Sequence, residues 1–275
     1  MTELTVVSFN VRYAGASDGE NSWPLRREAT AAGLTDTGLT DTGLTDTGLT
    51  DTAPWALAGL QEPLAEQVDY LAGQTGATAI AAGRDDGRSA GEHAAVLVRG
   101  DGLTVESSEF RWLSETPDVP GAVGWDADLT RMATLVRLRV VEGGADRVVE
   151  TVSRLGFANA HFDHRGAIAR IRSAELLTRL LTDEPDRPWV VVGDLNDVPG
   201  SECLQVFDRA GFTSALPVDA GPTFHGFLGA DRGQIDHILV GPGIEVLDAG
   251  VDRSKRNGRW PSDHYPIWAR LRLPS

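Results

Sequence analysis

Apolar residues along this chain gather into short runs that stop on polar or acidic residues. Trp189-Val190-Val191-Val192, set between Pro188 and Gly193, is unbroken and β-branched. A strand with one wet face alternates apolar with polar, so this run predicts a strand covered on both faces. Trp55-Ala56-Leu57-Ala58-Gly59-Leu60 reads as a second buried strand and Ala94-Ala95-Val96-Leu97-Val98 as another apolar one. Leu4 to Phe9 and Met132 to Val140 alternate, as half-buried strands do. Shorter strands are predicted at Ala77 to Ala81, near Gly156 to Ala158, at Gln234 to Val240 and at Ile267 to Leu273.

Helical spacing fills the intervals. Trp23-Pro24 opens a helix that runs through Ala32, with the proline tolerated in its first turn. Leu64, Val68 and Leu71 share a helix face, as do Ala167, Ile168, Ile171, Ala174, Leu177 and Leu181. Ser201 is placed to cap a helix from Glu202 to Ala210, and Gly211 to stop it. The alternation predicts an α/β fold.

One stretch breaks the pattern. Leu34-Thr35-Asp36-Thr37-Gly38 is followed by three further copies, the last ending in Ala53. A five-residue step turns a helix by about 140°, so the four leucines would spiral without forming a stripe. A glycine in each full copy also disfavours regular structure. The segment at about 34–53 therefore reads as an expanded surface loop inserted into one domain spanning 1–275.

With 41% hydrophobic residues in 275, the chain has ample material for a large core. It enters its first strand without a basic leader, no run approaches a membrane span, and its one cysteine, Cys203, reads as a core thiol; together these predict a cytoplasmic protein. The net charge of -15, with no basic stripe, disfavours tight binding of long nucleic acid. Small phosphorylated substrates fit better, because a divalent metal can neutralise a local carboxylate cluster and still admit one phosphate.

Candidate chemistry sits where the strands end. Asn10 and Arg12 share a face at the end of the first; Glu62 follows the Trp55 strand; His161 lies beyond Ala158. Asp194 and Asn196 follow the valine run, Asp236 begins the strand at Gln234, and Asp263-His264 precede the last. Residues two apart in extended chain share a face, so Asp194 and Asn196 would converge on one spot, a pairing suited to phosphate beside a metal or an activated water. An Asx-rich turn leading into Pro199-Gly200 is the alternative for this stretch. Arg84 and Arg88, in a charged turn, read on their own as solvated loop residues. Ligands of open α/β sheets bind at such rims.

Six motifs in order, Ser8-Phe9-Asn10-Val11-Arg12, Leu60-Gln61-Glu62, His161-Phe162-Asp163-His164, Gly193-Asp194-Leu195-Asn196, Gln234-Ile235-Asp236 and Ser262-Asp263-His264, resemble the endonuclease/exonuclease/phosphatase superfamily. The resemblance spans nearly the whole chain and implies a four-layer α/β sandwich, two packed mixed β-sheets with helices outside. It implies a Mg²⁺ ion, or Mn²⁺, held by Glu62 with Asn10 and Asp263. It further implies that Asp236 orients a proton-transferring His264, that Asp194 aligns the attacking water, and that Asn196 and His161 contact phosphate oxygens. Arg12, Arg84 and His164 join these as substrate-contacting candidates. Arg12 stands where abasic-site repair members are commonly acidic, and His237 where an aromatic is frequent. The function implied is metal-dependent hydrolysis of a phosphodiester or phosphomonoester, in a small or lipid-like molecule. A metal-dependent nuclease and a noncatalytic ligand-binding or scaffold domain are the alternatives.

Overall fold

Strands buried on both faces need partners on both faces, and the chain supplies them by stacking two sheets between helices. The computed structural model describes residues 2–36, 55–100, 102–142, 151–229 and 233–274. In the first sheet, β1 (Glu3–Asn10) lies between β12 (Ile267–Arg272), antiparallel, and β2 (Leu57–Gln61), parallel. β4 (Ala94–Val98) and β3 (Thr78–Ile80) extend it on one side, β11 (Glu245–Val251) on the other. The second sheet runs β5 (Leu103–Trp112), β6 (Met132–Glu142), β7 (Thr151–His161), β8 (Trp189–Asp194), β10 (Asp236–Val240), β9 (Thr213–Ser214), with β7 and β8 parallel. Helices α1 (Trp23–Thr35) and α2 (Ala65–Thr75) cover the first sheet, and α3 (Ala167–Thr182) and α4 (Glu202–Arg209) the second.

The four layers account for the uninterrupted apolar runs. Along β8, Val190 and Val192 join the core between the sheets, while Trp189 and Val191 join the core under α3 and α4. Along the first sheet, Val6 and Leu57 face inward and Val7, Phe9, Ala58 and Leu60 face α1 and α2. Ser201 caps α4 through a bond from the Leu204 amide, and Cys203 is buried in its core. No helix among the described residues is long and apolar enough to cross a membrane.

Four features depart from the sequence-based expectations. β6 is buried on both faces from Met132 to Val136, and only its later part alternates. β5 and β11 carry no clean apolar alternation because they are edge strands, β5 largely exposed and β11 half-buried. In α3 the buried face begins at Ala169; Ala167 and Ile168, the latter 55% exposed, lie in the first turn, where Asp126 accepts the Ile168 and Ala169 amides. Leu34 and Thr35, the start of the pentapeptide repeat, form the end of α1; Leu34 is fully buried and its carbonyl accepts the Trp55 indole N–H at 2.7 Å. The repeat from residue 37 to 53 lies outside the described residues.

The sheets approach closely at Gly59, where an added Cβ would lie 2.3 Å from Val192 Cγ2 and 2.9 Å from Asn159. Asn159, fully buried, bridges the gap: its Oδ1 accepts from Gln61 Nε2 at 2.7 Å, and its Nδ2 donates to the carbonyls of Leu60 and Ala95 at 2.9 and 2.8 Å. Asn159→Ala removes three buried hydrogen bonds between the sheets, leaving Gln61 Nε2 its bonds to Ser8 Oγ and the Gly59 carbonyl, and should reduce unfolding free energy by about 2–4 kcal/mol. Chemical denaturation checks this, and a loss below about 1 kcal/mol would remove the amide from its place as the link between sheets.

Candidate active site

Parallel strands finish, and antiparallel strands start, at the same rim. Asn10 ends β1, Glu62 follows β2, His161 ends β7 and Asp194 ends β8. Asp236 starts β10 directly opposite Asp194, and Asp263-His264 lead into β12 beside β1. The same rule brings in Glu92 and Arg131, just before β4 and β6, which the sequence reading did not single out. Their signal was there: a charged residue at the threshold of an apolar strand.

The acidic part of the rim is a connected network. Asn10, fully buried, donates from Nδ2 to Glu62 Oε1 at 3.0 Å and to Asp194 Oδ2 at 3.1 Å, while its Oδ1 accepts the Arg12 amide. Glu62 Oε2 accepts the Tyr13 amide. Asp236 Oδ2 lies 2.9 Å from His264 Nδ1, and His264 Nε2 lies 3.7 Å from Asp194 Oδ2. Asp263 Oδ1 accepts from Ser262 Oγ, and its Oδ2 is 3.7 Å from Arg12 Nε. Burial, then the charges of Asp236 and Glu62, push the Asp194 carboxyl up to about 7. Burial and Glu62 also raise Asp263. Burial opposes charge on His264, but Asp236 and Asp194 outweigh it and lift the imidazole to about 10.

Backbone strain collects here. Arg12, Glu62 and Asn196 have φ of 55°, 70° and 51°, a region that side chains other than Gly, Asn and Asp seldom enter. Arg26, buried in α1, holds the first of these turns: it donates to the carbonyls of Asn21, Val11, Arg12 and Pro261, joining the segment after Asn10 to the one before Asp263.

The family model described as "Endonuclease/Exonuclease/phosphatase family" matches residues 7–264. The chain belongs to this family. Its members are hydrolases of phosphoesters and generally depend on a divalent metal. Among solved structures, the chain is similar to the endonuclease/exonuclease/phosphatase of Bacteroides vulgatus, with 29% identity, 99% of this chain and 100% of that one covered, and a TM-score of 0.83. It is also similar to a mannosyl-6-phosphatase of Bacteroides thetaiotaomicron VPI-5482, at 28% identity over 98% of this chain and 100% of that one, with a TM-score of 0.78. The human Nocturnin catalytic domain shares the fold at 17% identity, covering 98% and 93% of the two chains with a TM-score of 0.70. A search of curated proteins found no match.

The donor set suits the divalent metal on which the family generally depends. Carboxylates of Glu62, Asp194, Asp236 and Asp263 gather at one rim, and burial first, then neighbouring carboxylates, raises the ionisation of Asp194 and Asp263. Among the described residues, one oxygen of Asp194, one of Asp236 and one nitrogen of His264 lie within 4.8 Å of one another and form a group able to hold an ion.

The remaining candidates are placed as follows. Asn196 does not continue the strand; the chain turns, the Asn196 amide donates to Asp194 Oδ1, and its Nδ2 donates to the Phe162 carbonyl. The Asx turn is therefore the observed geometry. Arg12 reaches the rim with its guanidinium engaged by both oxygens of Asp18 at 3.1 Å. Arg84 is no solvated loop residue: its side chain is 13% exposed, pairs with Glu92 at 2.5 Å, and lines a small cleft with Glu92, Arg131 and His161, whereas Arg88 is exposed as expected. His164 is exposed, with Nδ1 3.2 Å from Arg131. His237, buried, bonds the Asp197 carbonyl at 2.8 Å and so braces the turn after Asp194.

Behind Asp263, whose carbonyl accepts the His225 amide, the buried His225 ring stacks on Tyr265 at 4.4 Å and leans on Trp260 at 4.6 Å. Neither ring nitrogen finds a hydrogen-bond partner, and burial, then the His264 charge, lowers its ionisation to about 4. A histidine with a depressed folded pKa contributes full stability above its unfolded value, near 6.5, and loses it as pH falls toward about 4. His225→Phe keeps the stacking and removes the titration, so its Tm relative to the parent should rise between pH 7.5 and pH 5.0. Thermal scans at the two pH values test this; an unchanged or opposite difference would show that His225 takes up its proton without penalty.

Proposed function

We propose that the protein is a divalent-metal-dependent phosphoesterase that hydrolyses a phosphomonoester of a small molecule. The observation that carries this reading is the buried pair of Asp236 and His264, 2.9 Å apart, with the free nitrogen of His264 facing Asp194. Glu62, Asn10 and Asp263 would hold Mg²⁺, with Mn²⁺ able to replace it, since hard cations favour oxygen donors. The His264 nitrogen at Asp236 is already committed to a hydrogen bond, which makes that pair the acid–base element in preference to the metal shell. When bound, the cation neutralises charge on the phosphoryl oxygens.

The residues then divide the work. Asp194, whose Oδ2 faces Nε2 of both His264 and His161, aligns a water and accepts its proton at Oδ2. As the water oxygen bonds to phosphorus and the ester bond breaks, His264 gives the proton on Nε2 to the leaving oxygen. Asp236 keeps the ring oriented throughout. His161 and Asn196 contact the nonbridging oxygens. The small-molecule monoester is supported by the similarity to a mannosyl-6-phosphatase at 28% identity along almost the entire chain. The net charge of -15 speaks against long nucleic acid as substrate, and the single buried thiol suits a reducing cytoplasm.

Hexose 6-phosphates, a chromogenic phosphodiester and supercoiled plasmid, each tried with Mg²⁺, Mn²⁺ or chelator, separate the readings. Turnover of the sugar phosphate should exceed that of the other two and vanish with chelator. Glu62→Gln and His264→Ala should each lower kcat by about 10²–10⁴-fold. Chelator-insensitive turnover, or plasmid nicking as the dominant activity, would overturn the assignment.

A further inference from the structure

Two imidazoles flank the same oxygen of Asp194: His264 Nε2 at 3.7 Å and His161 Nε2 at 3.6 Å. They are anchored from behind by groups of opposite kind. Asp236, a carboxylate, backs His264. Behind His161 stands Arg131, 4% exposed, with Nη1 3.0 Å from His161 Nδ1; its Nη2 lies 3.2 Å from His164 Nδ1.

A guanidinium has donors only. Both Nδ1 atoms must therefore accept, and a neutral ring that accepts at Nδ1 carries its proton on Nε2. A carboxylate behind a ring favours the cation, whereas a guanidinium opposes it by like charge. Glu92 does not compete for the ring: its Oε2 is 4.0 Å from His161 Nδ1 and is taken by Arg84 at 2.5 Å. Asp163, buried, stands 3.6 Å from Arg131 Nε and pairs with the guanidinium at the nitrogen that neither histidine contacts. Around His164, Asp128 at 3.8 Å from Nε2 faces the proton-bearing side.

We infer that Arg131 is a positioning residue that locks His161 and His164 together as neutral Nε2–H rings, so that His161 is a permanent hydrogen-bond donor and proton transfer falls to His264. The division of labour rests on the phosphoesterase reading; the tautomers do not.

Nitrogen-15 histidine NMR of the full chain at neutral pH, without metal or substrate, tests the lock directly, with His161→Gln and His164→Gln spectra assigning the signals. Both rings should show a protonated Nε2 and a bare Nδ1. Arg131→Ala should release both, giving mixed tautomers and a kcat lowered about 10²-fold with a smaller change in KM. Arg131→Lys, with one compact ammonium in place of a fork, should restore the tautomer of one ring at most. A proton on Nδ1 of His161 in the parent protein, or tautomers unchanged in the Arg131 variants, would overturn the inference. If an Arg131 variant fails to fold, the parent spectrum still decides. Correct tautomers in a protein without turnover would sink the phosphoesterase reading and leave Arg131 in its place.

Discussion

Six strand ends from two sheets can converge on one patch only if the sheets come close, and the Gly59 contact sets how close. With no side chain there, Val192 and Asn159 of the second sheet press against β2. The Asn159 amide, satisfied by groups of β2 and β4, fixes the sheets in position along each other as well as in distance. Only a few residues beyond this contact, at the ends of β2 and β8, lie Glu62 and Asp194, linked through Asn10. A packing constraint in the core thus becomes a distance constraint in the site, because a shift of one sheet would separate the partners of Asn10 before disturbing most of the hydrophobic contacts.

The rim also carries a deliberate electrostatic conflict. Like charges on neighbouring strand ends are poorly tolerated when buried, and here the tension appears as raised carboxyl ionisation and a cationic imidazole. Positive φ at Arg12 and Glu62 adds conformational strain in the same few ångströms, whereas Asn196 is of a residue type that tolerates it. Such features lower stability, and the rest of the fold offsets them with dense packing on both sides of each sheet and with the carbonyl-binding guanidinium of Arg26.

Much of this was legible in the residue order. The valine run of β8 announced burial on both faces, and polar residues at strand ends announced the rim. Less legible were features whose cause lies across space. Edge strands β5 and β11 show no clean apolar period, because solvent reaches most of β5 and part of β11. Arg84 sits in a turn that looks solvated until the sheet curls Glu92 and Arg131 beside it. Asn196 illustrates two correct principles in competition: extended geometry would have shared a face with Asp194, but the Asx bond from its own amide won. Its place before β6 marks Arg131 for the rim, but nothing near it in sequence advertises its histidine partners 30 and 33 residues later.

Pairing of β1 with β12 has a consequence during synthesis. The two lie side by side in the middle of a sheet, yet Glu3 registers with Arg272. A nascent chain still lacking its final strand leaves β1 with one edge open to other strands, an invitation to misassembly. It also lacks Asp263 and His264, so the acidic rim is complete only once β12 has joined β1.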